Sequence, residues 1–323
     1  MAIIFAGTST IDFTKTGGVS RETLGAFLYS NVSEGVAGGG STPLRAILWD
    51  APAEMWFSYR ARSSGNFSTT VKTWFTLTDA AGNSIARLHL VSSSQIDLQL
   101  WDGSAWVQVA TTSTLPAITS GVVRLDVHFK KATSGGVFAV YADGALSMSY
   151  TGDTDRVDNN VAEVRFTQAA SNSSHVISAM FAADEDTRTL DFAQRRPGSN
   201  GAETAWTGTY LDVDETSFND SDFISTNTDG AVETMGFGSL PSAFSTNPIV
   251  AIIMSGRGQL SSGITQIKGI ARVGSVNYEN DPRTPYGSSY GSVQHVFDVN
   301  PATGGSWTYA EVNAAQFGYK AVA

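Results

Sequence analysis

Cysteine is absent from this chain of 323 residues, and its absence excludes disulfide bridges, thiolate metal sites and cysteine nucleophiles. Charged residues are few, at 15% of the sequence, compared with about 25% in an ordinary globular protein. The 20 basic residues are outnumbered by 30 acidic ones, which gives a net charge of −10. Proteins that bind nucleic acids do so through clustered Lys and Arg. We therefore expect no nucleic-acid partner.

Long apolar segments are also lacking. No run approaches the ~20 residues that a membrane-spanning helix requires, so we expect no insertion into a membrane. Residues 1–8 combine neither a basic start nor an extended apolar stretch, and they do not resemble a signal peptide. If the protein works outside the cell that makes it, we expect it to be released by lysis.

Helical patterns are scarce, and alternation of apolar and polar residues dominates the sequence. Residues 84–91, 95–101 and 122–130 alternate with a period near two, which is typical of strands with one buried face. Asp-Gly pairs at 102–103 and 143–144 indicate hairpin turns between short strands. The pattern predicts an all-β protein built as a sandwich or jelly roll.

One short helix is predicted at residues 309–316, because Thr308 and Glu311 have the spacing of a capping box and Gly318 follows as a stop. A weaker helical turn is predicted at residues 20–27. All other elements are expected to be strands and loops.

A change of composition divides the chain into two domains. Residues 195–202 are rich in Pro, Gly, Ser and Asn, and they are predicted to form a linker. We place a jelly roll in residues 1–195 and a smaller β-sandwich with the short helix in residues 196–323. The second domain is predicted to contain strands at 206–213, 231–237, 249–255, 266–273, 293–299 and 317–322, with long loops at 214–230 and 275–292.

Residues 74–90, 98–106 and 137–146 carry a family likeness. The last of them reads Val-Phe-Ala-Val-Tyr-Ala-Asp-Gly-Ala-Leu, and it resembles a hairpin typical of concanavalin A-like, laminin-G-like jelly rolls. The resemblance extends over about residues 3–189. It implies the fold of the first domain and says little about function, because this fold serves lectins, glycosidases and adhesion modules alike.

Residues 175–188, 206–215 and 300–320 carry a second likeness. They resemble peripheral structural proteins of tailed bacteriophages and of phage-like gene transfer agents. The resemblance implies a virion component without enzymatic activity, such as a fibre, spike or decoration on the virion surface. We expect such a protein to be made in the host cytoplasm, to bind other virion proteins and to contact the host surface, including a surface glycan.

Two alternatives stay open. A polysaccharide-degrading enzyme on a concanavalin-like fold would need carboxylates that flank the glycosidic bond, and the E-x-D-x-E pattern that supplies them is missing. The acidic run at 184–186 is interpreted as a solvated strand end. Gly287-Ser-Ser-Tyr-Gly291 has the letters of a nucleophile elbow but not its context, and no catalytic residue is assigned. The second alternative is a purely architectural virion subunit.

Calcium is the one cofactor considered. Asp153, Asp155 and Asp158 cluster in residues 153–160 and offer the oxygen ligands that calcium prefers. Asp and Asn also favour turns through local hydrogen bonds, so a solvated turn is the competing interpretation.

Aromatic residues in the long loops are the candidate contact surface. Tyr286 and Tyr290 flank small residues, and Tyr278 lies in the same loop. Rings on such loops can stack on sugars or pack against another subunit. Because long loops with aromatics are typical of interfaces, we expect a homo-oligomer, with a trimer favoured.

Overall fold

The computed structural model describes residues 2–7, 19–22, 35–38, 44–63, 72–92, 95–112, 122–166, 175–215, 219–260, 263–285 and 290–323. Its contacts divide the chain into two compact units, Met1–Phe192 and Ala193–Ala323. The described residues form 21 strands and one α-helix, so the prediction of an all-β protein with one short helix is confirmed. Among these residues no helix is long and apolar enough to cross a membrane.

The first unit contains two antiparallel sheets. Its strands are β1 (Ile3–Gly7), β2 (Val19–Glu22), β3 (Gly35–Gly38), β4 (Leu44–Ile47), β5 (Glu54–Ser63), β6 (Lys72–Thr78), β7 (Ser84–Ser92), β8 (Gln95–Trp101), β9 (Trp106–Thr112), β10 (Val123–Lys130), β11 (Gly136–Ala142), β12 (Ala145–Gly152), β13 (Glu163–Phe166) and β14 (His175–Ala183). An eight-stranded sheet has the order β12-β11-β10-β5-β14-β3-β2, with β1 also paired to β14. A six-stranded sheet has the order β4-β13-β6-β7-β8-β9. The chain crosses repeatedly between the sheets, as expected for a jelly roll.

The core of the first unit lies between the two sheets. Phe57 on β5 meets Phe75 on β6 edge to face, with ring centroids 5.0 Å apart, and both side chains are fully buried. On β7 and β8, Leu88 pairs with Leu98 in register on the buried side. Since successive side chains of a strand point to opposite faces, the immediate neighbours of these leucines, at positions 87, 89, 97 and 99, lie on the outer face of the six-stranded sheet.

The second unit is smaller. Its elements are β15 (Pro197–Thr204), a 3-10 turn (Tyr210–Asp212), β16 (Val232–Phe237), a second 3-10 turn (Ser242–Phe244), β17 (Ile252–Gly258), β18 (Gln266–Val273), β19 (Val276–Glu279), β20 (Gly291–Phe297), α1 (Tyr309–Ala314) and β21 (Gln316–Val322). A five-stranded sheet has the order β15-β16-β21-β18-β19, and β17 pairs with β20. Thr308 and Glu311 form the predicted capping box at the start of α1.

Trp307 anchors the core of the second unit. Its indole is buried and donates a hydrogen bond to the carbonyl of Phe297, at 3.1 Å. The ring also packs against Phe317 on β21, with centroids 5.9 Å apart. Met254 on β17 and Ala271 on β18 belong to the same cluster. Residues of the two-stranded and five-stranded sheets therefore share one core, which confirms the second, smaller sandwich.

Several local predictions are wrong. The segment predicted as a linker forms β15, because its small residues pair with β16. Residues 206–213 were expected to form a strand, but they contain a 3-10 turn that Thr209 and Asp212 cap reciprocally. The loop predicted at 275–292 contains β19. The helical turn predicted at 20–27 begins instead with the strand β2.

Candidate functional site

A row of polar and aromatic side chains crosses the outer face of the six-stranded sheet. We define the polar face as Thr73 on β6, Arg87 and His89 on β7, Gln95, Asp97, Gln99 and Trp101 on β8, and Trp106 on β9. The register places His89 opposite Asp97, Arg87 opposite Gln99, and Trp101 opposite Trp106. Alternation on three neighbouring strands thus brings together residues that are distant in the sequence.

Hydrogen bonds connect the polar face. Thr73 Oγ1 lies 3.0 Å from His89 Nδ1. The Asp97 carboxylate accepts from Gln95 Nε2 at 3.1 Å and from Gln99 Nε2 at 3.5 Å. Asp97 is only 2% exposed and Gln99 only 9%. Hydrogen bonds and burial therefore hold these side chains in defined orientations.

Arg87 is fixed from two sides. Its Nε donates to Gln99 Oε1 at 2.7 Å, and its guanidinium lies over the Trp106 ring, 4.1 Å from the centroid. Trp101 meets Trp106 edge to face, with centroids 5.3 Å apart. The two tryptophans form the border of the polar face toward the edge strand β9, where their rings stay partly exposed.

Burial changes the pKa values of two groups on the polar face, Arg87 and His89. Burial lowers the pKa of Arg87, although an arginine remains charged at any ordinary pH. Burial and the neighbouring charge of Arg87 lower the pKa of His89, against the opposite effect of Asp97. His89 is therefore a neutral donor and acceptor near pH 7. The face combines one cation, one carboxylate, amides and a neutral imidazole, a set suited to binding a hydroxyl-rich ligand.

Hydrolysis of a glycosidic bond normally uses two carboxyl groups about 5–9.5 Å apart. Among the described residues of the polar face, Asp97 is the single carboxylate, and the two glutamines hold it. Glu163 lies on the same outer face, on β13, but its side chain is 3% exposed and paired with Arg45 and Arg165. The hydrogen bonds from these arginines outweigh burial and lower the pKa of Glu163, which makes it a poor proton donor.

The outer face of the eight-stranded sheet carries a second aromatic cluster. Trp56 stacks on His128 with centroids 4.2 Å apart, and Tyr141 lies beside it. Arg188 covers the cluster, at 4.4 Å from the Tyr141 centroid and 5.2 Å from that of Trp56, and pairs with Asp186. In this cluster the cation over the rings already has a carboxylate partner, so it offers a ligand fewer open polar groups than the polar face does.

Two of the tyrosines predicted as contact residues, Tyr278 and Tyr290, belong to the second unit, whereas the polar face belongs to the first. Tyr278 is on the edge strand β19 of the five-stranded sheet and is partly buried. Tyr290 precedes β20, and Arg257 lies 5.4 Å from its ring centroid. Tyr286 is outside the described residues. Tyr278 lies within a strand of the five-stranded sheet and Tyr290 only precedes a strand of the two-stranded sheet, and a contact role for these tyrosines stays a prediction.

The aspartates predicted as calcium ligands lie in the turn after β12. Asp155 Oδ1 is 3.0 Å from the Lys131 ammonium, and Asp153 accepts from the Asp155 backbone N–H at 3.1 Å, while Asp158 is exposed. No group of three or more His, Asp or Glu side chains with metal-binding geometry occurs in the described part of the chain. These contacts are those of a solvated turn, and calcium stays a prediction without support.

Sequence reasoning overlooked the polar face, although a signal was present. The outward positions of β7 and β8 read Arg-x-His and Gln-x-Asp-x-Gln-x-Trp, a run of groups that can hydrogen-bond with one another. These residues form one row only in the observed strand register, because the register decides which residues lie opposite each other. The sequence alone does not reveal the register.

Comparisons with known proteins give only distant likenesses. No family model and no curated protein matches the chain. Among solved structures, a sialidase matches with a TM-score of 0.35 and 11% identity, over 48% of this chain, and the chain spans only 15% of the sialidase. A Bacillus licheniformis beta-glucanase matches with a TM-score of 0.37 and 8% identity, over 55% of this chain and 97% of its own. Sheep galectin-11 matches with a TM-score of 0.33 and 8% identity, over 45% and 98%. Scores this low carry no argument about activity.

Proposed function

We propose that this chain is a non-enzymatic, glycan-binding structural protein, and that the polar face of the six-stranded sheet is its binding surface. The observation that carries the proposal is the row of hydrogen-bonded donors and acceptors that crosses β6, β7 and β8. Trp101 and Trp106 border this row. Sugars present many hydroxyl groups beside apolar ring faces. A site for them needs oriented polar groups next to an aromatic surface.

The proposed setting is the surface of a phage or phage-like particle. It rests on the sequence likeness of residues 175–188, 206–215 and 300–320 to peripheral virion proteins. In that setting the chain is a fibre, spike or decoration that binds other virion proteins, forms a homo-oligomer such as a trimer, and contacts the host surface. It needs neither nucleic acid nor membrane insertion, and it reaches the outside by lysis.

A panel of immobilised bacterial and plant polysaccharides tests the proposal. The full chain, its Trp106→Ala variant and its Leu146→Ala variant are compared for retention on each polymer, and reducing ends are measured in the same samples. Trp106 lies on the edge strand β9 and holds Arg87. Leu146 lies on the edge strand β12 of the other sheet and is 57% exposed, so it is a matched control for loss of a surface hydrophobe.

We expect at least one polysaccharide to be retained without release of reducing ends. Trp106→Ala should weaken its binding by tenfold or more, since about 1.4 kcal/mol of lost contact corresponds to that factor, and Leu146→Ala should leave it unchanged. Release of reducing ends would favour the degrading enzyme. Failure to retain any polysaccharide would favour the purely architectural subunit.

A further inference from the structure

Arg87 differs from the other arginines of its sheet face in having no carboxylate partner. Arg45 and Arg165 both pair with Glu163. Within the described residues, Arg87 forms no ion pair, and its one hydrogen bond uses Nε. The N–H groups on its two terminal nitrogens therefore have no partner among the residues that the structure describes, although Arg87 is partly buried.

The surrounding side chains separate Arg87 from the nearest carboxylate on the polar face. Gln99 stands between Arg87 and Asp97, because its Oε1 accepts from Arg87 while its Nε2 points to Asp97. The carboxylate nearest along the row is thus held by amides and not by the guanidinium. Trp106 lies against the guanidinium, and together with the hydrogen bond to Gln99 it holds the side chain in place.

A guanidinium that is held at Nε and leaves both terminal nitrogens open toward ligands can bind a planar carboxylate through two parallel hydrogen bonds. Leaving a partly buried cation unpaired is costly, and an anionic ligand removes that cost. Burial lowers the pKa of Arg87, as expected for a guanidinium that is partly withdrawn from water.

We infer that the ligand of the polar face is an acidic glycan, and that Arg87 binds the carboxylate of a uronic acid or a similar sugar acid. This inference rests on the proposed function. The net charge of −10 makes general electrostatic attraction of an anionic polymer unfavourable. Selectivity for an acid therefore has to come from a local contact such as this one.

Matched pairs of polysaccharides test the inference. Each uronic-acid polymer is compared with its carboxyl-reduced form, which has the same linkages and no charge, and dextran sulfate serves as a polymer with a different anion. The proteins are the full chain and its Arg87→Gln, Arg87→Lys and Arg165→Gln variants. Arg165→Gln removes the same charge from the same sheet face, where Glu163 keeps Arg45 as a partner.

We expect the full chain to bind an acidic polymer at least tenfold more tightly than its reduced form. Arg87→Gln should abolish this preference, Arg87→Lys should restore only part of it because an ammonium lacks the planar pair of donors, and Arg165→Gln should keep it. Equal binding of acidic and reduced forms, a preference that survives Arg87→Gln, or equal retention of dextran sulfate would overturn the inference and leave glycan binding intact. Retention of neither form of any polymer would overturn both proposals.

Discussion

His295 is a buried residue of β20 whose two ring nitrogens both lack a hydrogen-bond partner in the described structure. It is 1% exposed, and its ring packs close to Gly269 and Tyr319 between the sheets of the second unit. Burial, aided by the positive charge of Arg283, lowers its pKa from 6.5 to about 4. The second unit therefore contains a histidine that must stay neutral to remain folded.

The sign of the resulting pH dependence is fixed. Between pH 6.5 and about 4 the unfolded chain binds a proton at His295 that the folded chain does not, so acid favours unfolding. The free energy of unfolding therefore keeps its full value above pH 6.5 as far as His295 is concerned, and it decreases as the pH falls toward 4. Between pH 7 and pH 4.5 the loss is about 2 kcal/mol.

His295→Leu should remove this part of the pH dependence. Urea unfolding of the full chain and of the variant at pH 7.0 and 4.5 measures it, and the wild-type chain should lose about 2 kcal/mol more on acidification than the variant does. Glu233, whose pKa is raised by burial, acts in the opposite direction in both proteins and cancels in the difference. Identical pH dependence of the two proteins would show that His295 is not protonated on unfolding.

At the scale of elements, the pairing of β16 with β21 depends on a close backbone approach. Gly318 on β21 faces Thr234 on β16, and a methyl group at position 318 would overlap the Glu233 carbonyl oxygen. Both strands lie at the centre of the five-stranded sheet, so a local displacement there would disturb pairing on both sides.

Gly318→Ala is expected to destabilise the second unit by about 2 kcal/mol or more, in the range of overpacked core substitutions. Gly198→Ala is the matched control, since Gly198 lies on the edge strand β15 of the same sheet and a methyl group there would be 3.7 Å from its nearest neighbour. Urea unfolding compares the two variants. Equal stability of both would contradict the requirement for glycine at 318.

Patterns that depend on one strand or one turn could be read from the sequence. The alternation on β7, β8 and β10, the strand β18 and the capping box of α1 were predicted correctly, because each is a local property of side-chain period or spacing. The strand β15 was missed because its small, polar residues give no alternation and gain their place only by pairing with β16. The polar face was missed because it requires the register of three strands.

The whole molecule has two units, and large hydrophobic side chains are exposed in the described parts of both. Leu211, Phe223, Val276 and Val299 in the second unit are between 43% and 58% exposed. The first unit exposes Ile47 and Leu146 in the same way. The placing of the subunit contact in the second unit therefore remains a prediction, based on the aromatic residues of its loops.

Light scattering tests the expected oligomer. A trimer of the 34.2 kDa chain would have a mass of about 103 kDa, and closed symmetry makes such a trimer a common solution for projecting proteins. Phe223→Ser should shift the mass toward that of the single chain if the second unit makes the contact, whereas Leu146→Ser in the first unit should not. A mass of 34.2 kDa at micromolar concentration for the unmodified chain would refute the oligomer.

The central claim is that the polar face of the six-stranded sheet binds the glycan, and NMR of the tryptophan indoles tests it most directly. The indole N–H signals of the full chain, labelled with ¹⁵N at tryptophan and assigned by single substitutions, are followed while a retained oligosaccharide is added. The account predicts shifts of Trp101 and Trp106 that saturate with the ligand, and an unchanged signal from Trp307, which is buried in the second unit. Saturating binding that leaves Trp101 and Trp106 unshifted, and moves only tryptophans elsewhere, would contradict it.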